Sequence, residues 1–123
     1  MNMSFKPHAL FLAAALLLMA VLSWFNGQPV AAGLVRAPWD LLAHFAVFFV
    51  LAVLLLWGLG PQRLWLVVLL AIAYAAFDEL RQLTLPGRHA EWMDFAADVL
   101  AVAAGIAIGF RFLRFPGSCL NRN

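Results

Sequence analysis

Residues 41–59 read LLAHFAVFFVLAVLLLWGL, an apolar run whose sole ionisable side chain is His44. A helix needs about 20 predominantly apolar residues to cross a hydrocarbon core. It can do so because its backbone groups are all satisfied internally. This run meets that requirement, and the chain on either side repeats it. An apolar run precedes it at about 9–25, and two more follow at about 64–83 and 93–113. Turn-forming residues separate them: Asn26-Gly27-Gln28-Pro29, then Gly58, Gly60 and Pro61, then Pro86-Gly87, and finally Pro116-Gly117.

The whole chain agrees with its parts. Of 123 residues, 66% are hydrophobic and 11% charged. A soluble domain averages about 45–50% apolar and about 25% charged residues, so this chain lacks the polar surface a water-soluble core requires. The expected fold is all-α: a four-transmembrane-helix bundle forming a single integral membrane domain over residues 1–123. The net charge of +2 gives no basis for a nucleic-acid partner. The one cysteine, Cys119, cannot form an internal disulfide. Residues 9–25 also carry marks of a secretory leader, since Lys6 precedes them and Val30-Ala31-Ala32 resembles a small-residue cleavage site. The length of the run and Pro29 beside that site favour a retained helix.

Orientation follows from the basic residues. Lys6, Arg63, Arg111, Arg114 and Arg122 fall on one side of the bundle. Arg36 and Arg88 fall on the other, with Arg81 near the boundary. Both termini are therefore expected in the cytoplasm. Trp24, Trp39 and Trp92 lie near the outer ends, and Trp57 and Trp65 near the inner turn, where indoles anchor at headgroup level.

The charges are gathered. Asp40 and His44 open the second run; Asp78, Glu79, Arg81 and Gln82 close the third. Arg88, His89 and Glu91 occupy the following loop, and Asp94 and Asp98 open the fourth run. All six carboxylates of the protein belong to this set, and in the expected topology all lie near the outer face. Helical spacing puts Asp40 and His44 on one face, and Asp78 and Gln82 on another with Tyr74 and Ala71 deeper. Glu91, Asp94 and Asp98 share a stripe that continues through Ala101, Gly105 and Gly109, small residues that let helices approach closely in lipid. Buried charge in a bilayer is costly, so these acids need partners, and Arg81 and Arg88 are the natural ones. Each residue also has a plainer role. Asp40 can cap a helix, and Glu91 and Asp94 can meet the positive end of the fourth. Asp78 and Asp98 lie too deep for capping.

The ordered series Asp40-x-x-x-His44-Phe45, Asp78-Glu79-x-x-Gln82, Pro86-Gly87-Arg88 and Glu91-x-x-Asp94 resembles the VanZ-like family of small bacterial membrane proteins over about residues 38–109. One departure is visible. That family commonly has Asp-x-x-x-Asn at the start of its final helix with a Gly shortly after, whereas this chain has Asp94, Asp98 and a later Gly105. The resemblance implies a multi-pass protein of the bacterial cytoplasmic membrane, in a cell-envelope family named for a component linked to teicoplanin resistance. It supplies no reaction.

Three functions remain open. The outward-facing polar pocket between the second, third and fourth helices binds or processes a lipid or lipid-linked envelope precursor. In that case Arg81 or Arg88 holds a phosphate or carboxylate, and His44 with Asp40 offers an acid–base pair. Alternatively, the cluster is a structural clamp in a non-enzymatic accessory subunit of a larger membrane protein, a reading favoured by the lack of an evident nucleophile. Finally, the oxygen-rich cluster holds a divalent cation, with His44 favouring a transition metal, although the spacing matches no specific metal motif.

Overall fold

Gly60 and Pro61 turn the chain between its second and third apolar runs. Gly60 adopts a φ of 86°, open to glycine at little cost, and its N–H bonds to the Leu56 carbonyl at 2.9 Å. Pro61 then begins a short 3₁₀ turn, Pro61–Arg63. In the computed structural model, which describes residues 7–28, 39–85 and 92–114, all regular structure is helical. The helices are α1 (Pro7–Asn26), α2 (Trp39–Leu59), α3 (Leu64–Gln82) and α4 (Trp92–Arg114). Their boundaries lie close to those expected from the apolar runs.

Helix α2 is central and packs against all three others, most intimately against α4. The reason lies in its composition: beyond His44 it is apolar on every side, and Phe48, Leu51, Ala52, Leu55 and Leu56 recur at helical spacing and are buried. Val67, Ala71 and Ala75 of α3 and Ala101 and Val102 of α4 complete the core around them. The expected small stripe of α4 is used inside the bundle. A Cβ on Gly105 would lie 2.6 Å from the Phe49 carbonyl oxygen, and one on Gly109 would lie 2.9 Å from Leu56 Cδ2. At Gly105 the facing atom belongs to the backbone, so only glycine permits so close an approach of α4 to α2 there.

At the end of the bundle remote from the carboxylates, α1 locks onto α2. Leu12 fills the space left by Gly58, Phe11 packs edge-on to Trp57 at 5.3 Å, and the His8 Nδ1–H donates to the Trp57 carbonyl at 3.1 Å. Trp57 in turn donates its indole N–H to the Gly109 carbonyl at 3.2 Å. Its indole is thus engaged within the bundle, unlike the exposed Trp24, Trp39, Trp65 and Trp92.

Among the described residues, three helical stretches are long and apolar enough to cross a membrane: His8–Asn26, Trp39–Leu59 and Trp92–Phe112. Helix α3 has nearly the same length, but Asp78, Glu79 and Arg81 shorten its apolar part. The expectation of four spans therefore narrows to four helices, three of which qualify by length and composition.

Candidate functional site

The buried positions of α3 run Val67, Ala71, Ala75, Asp78, Glu79 and Gln82. The stripe that faces the core in the apolar part thus continues into the charged last turns, and helical periodicity carries the acids inward. The same holds in α4, where Asp94 and Asp98 continue the line of Ala101, Gly105 and Gly109, all buried. Asp78 is 1% exposed and Asp98 0%. At 1.5 Å per residue, His44 lies about 7–8 Å inside α2 and Asp98 about 9 Å inside α4. Because the helices alternate in direction, the C-terminal ends of α1 and α3 meet the N-terminal ends of α2 and α4, and the polar groups collect at one end.

This polar end has two halves. The first joins α1 to α3. The Asn26 amide Nδ2 donates to both carboxylate oxygens of Asp78, at 3.1 and 3.4 Å. The Tyr74 hydroxyl donates to the Met19 carbonyl at 2.9 Å and lies 2.8 Å from Ser23 Oγ, which can then donate to it. Arg81 Nη1 donates to the Ser23 carbonyl at 2.8 Å, while its guanidinium carbon sits 6.0 Å from the Phe77 ring centre. The guanidinium thus adds a second donor to a carbonyl in the last turn of α1 that also accepts the Gly27 N–H at 3.2 Å. The expected pairing of Arg81 with the acids gives way to this contact.

The second half joins α2, α3 and α4. His44 Nδ1 lies 3.1 Å from Asp98 Oδ1. The imidazole lies parallel to the ring of the fully buried Phe48, with centroids 6.4 Å apart. Glu79 enters from α3, and one ligand atom from each of His44, Glu79 and Asp98 lies within 4.8 Å of the others. Asp94 and Asp78 are near enough to act on His44 electrostatically. Asp98 Oδ2 is buried without a hydrogen-bond partner among the described residues. The His44 side chain keeps 17% of its surface exposed and forms the accessible edge of this half.

The structure thus brings together His44, Glu79, Asp94 and Asp98, with Asp78 and Gln82 buried beside them. Asp40 stands one turn before His44 on α2, and its hydrogen bond is local. Its Oδ1 accepts the N–H of Leu41 at 2.9 Å. There it meets the positive end of α2, a local role. Arg88, His89 and Glu91 lie outside the described residues, as does Cys119. Sequence reasoning found α1 as a helix but missed its part in the polar end. Ser23 and Asn26 sit three apart at the end of an apolar run, and that polar pair was the available signal. It reads equally well as a turn, and only the packing of α1 near α3 gives it partners.

A model of the VanZ/LLP1 family matches residues 8–114. No curated protein and no solved structure matches the chain.

Proposed function

This chain belongs to the VanZ/LLP1 family, and from that premise we propose a multi-pass protein of the bacterial cytoplasmic membrane, termini inside, whose polar end receives the headgroup of a lipid or lipid-linked envelope precursor. Membrane character rests on the family and on the three long apolar helices. The observation that carries the binding reading is the meeting of Asp98, Glu79 and Asp94 with His44 at the accessible edge of an otherwise buried cluster. Buried charge is a poor way to hold helices together, because desolvation offsets most of the attraction. Within a bilayer such groups mark a functional site by default.

The chemistry of the cluster narrows the ligand. Its groups are mainly carboxylates, which accept hydrogen bonds, so they suit a headgroup that donates them through hydroxyls or an amine. Arg81 is engaged with the Ser23 carbonyl, which weakens the idea that it holds a phosphate. The α1–α3 half supports a second, structural reading for part of the cluster. Asp78, Tyr74 and Arg81 each have partners in α1, and they act as a clamp that holds the site rather than as the site itself.

The test uses the purified full chain in vesicles containing a photoactivatable polyprenyl-linked sugar or, in parallel, a photoactivatable phospholipid. Crosslinks concentrated in peptides containing His44 or Asp98, and reduced by excess unlabelled compound, are the expected result. Which of the two probes labels them distinguishes the lipid-linked precursor from an ordinary lipid. Labelling confined to outward-facing positions such as Leu16, Leu17, Leu100 and Phe112 overturns the proposal.

A further inference from the structure

We infer that His44, Glu79 and Asp98 form a binding site for one divalent transition-metal ion of the zinc class. The three residues belong to α2, α3 and α4 respectively, so no local sequence motif announces them and only the packing of the bundle makes the set. One imidazole nitrogen and two carboxylate oxygens within 4.8 Å of one another match the kinds of atom that bind zinc. Mixed nitrogen and oxygen ligation from three protein side chains, with a further position open, is characteristic of reactive zinc sites.

The distances fit such an ion. With bonds of about 2.0–2.1 Å, neighbouring ligand atoms around a tetrahedral zinc stand roughly 3.3 Å apart. His44 Nδ1 and Asp98 Oδ1 are 3.1 Å apart, already close to one edge of that tetrahedron. The longest separation is no more than 4.8 Å, so ligation needs the three atoms to draw together by roughly 1.5 Å at most. His44 is held by its parallel packing on Phe48, so one ligand is oriented in advance.

A second observation points to a ligand independently. Asp98 is fully buried, and its Oδ2 has no hydrogen-bond partner among the described residues. A buried polar atom left in that state destabilises the fold, so the bare arrangement is incomplete. A dication bound there brings positive charge to the fully buried Asp98 carboxylate, which a water molecule cannot do. The imidazole decides the class of ion. Magnesium and calcium prefer all-oxygen shells, whereas imidazole with carboxylate suits zinc and its first-row neighbours. The exposed edge of His44 provides an entry path. This inference stands apart from the headgroup reading, because it concerns an ion and its three ligands alone.

The experiment uses the full chain in detergent, stripped with a chelator, dialysed and titrated with zinc chloride while bound ion is measured. Wild type is expected to take up one ion per chain. His44→Gln, Glu79→Gln and Asp98→Asn should each weaken uptake by about 10–100-fold or more, the range seen when even an outer partner of a metal ligand is lost. Asp40→Asn, whose carboxylate caps α2 instead, should retain the ion. Where a variant loses helicity, the thermal midpoint of stripped wild type decides: a rise on adding zinc supports the site, and no change overturns it. No saturable uptake by wild type, or equal uptake by the three folded variants, also overturns it. A negative result leaves the crosslinking outcome unaffected, since that experiment contains no added metal.

Discussion

The two halves of the polar end have similar side chains and different accounts. Between α1 and α3, Asp78 accepts from Asn26, Tyr74 donates to a backbone carbonyl, and Arg81 covers a helix end. Each strong donor or acceptor there has a partner. Between α2, α3 and α4, Asp98 has one oxygen on His44 and the other on nothing described, with two further carboxylates close by. A satisfied polar network stiffens a fold, and a partly satisfied one weakens it. Burial and charge alone therefore do not separate structural from functional acids in a membrane bundle. The state of their hydrogen bonds does.

The comparison can be broken by substitutions, all measured as reversible unfolding in detergent with chelator present. The largest effect belongs to Asn26→Leu. It leaves Asp78 buried without its donor, so a loss of about 1–3 kcal/mol is expected. Adding Asp78→Leu should recover much of it, because replacing both partners removes the stranded group. A small effect from Asn26→Leu alone dissolves the clamp. Next comes Tyr74→Phe, which removes one hydrogen bond to Met19 and one contact with Ser23. Interhelical polar contacts in membrane proteins contribute about 0.6 kcal/mol on average and up to about 1.7, and the loss should fall in that range. Smallest is Asp98→Asn, which keeps an acceptor for His44 and removes a buried charge. Asn keeps the hydrogen bond to His44 and lowers the cost of burying the second oxygen while giving up the charge pairing, so the net change should stay within about 1 kcal/mol. A loss as large as that of Asn26→Leu makes the two halves one structural network and removes the distinction between them.

Much of the fold was legible because a membrane simplifies the reading. Apolar length, Gly and Pro punctuation and the gathering of charges required no tertiary information, and the helix ends followed within a turn. The stripe from Asp94 through Gly109 was legible for the same reason, since helical periodicity is a property of the backbone. The partners were less so. Spacing suggested Asp40 for His44 because both lie on α2, but the imidazole meets Asp98 from another helix. Charge suggested acids for Arg81, but a backbone carbonyl of α1 accepts from it. Nearness in sequence favoured the first pairing and charge the second, and packing chose distant partners instead.

The amino-acid sequence by itself determined that this chain forms apolar helices for a bilayer, which family it resembles, and that its carboxylates collect at one end. These are consequences of composition and of helix geometry, which each segment carries alone. Tertiary structure decided that α1 completes the polar end through Ser23 and Asn26, that Gly105 draws α4 onto α2, and that His44, Glu79 and Asp98 converge. Those depend on which helix faces meet and how closely. Packing sets that through the shapes of side chains far apart in sequence, such as Gly105 against Phe49 and Gly58 against Leu12.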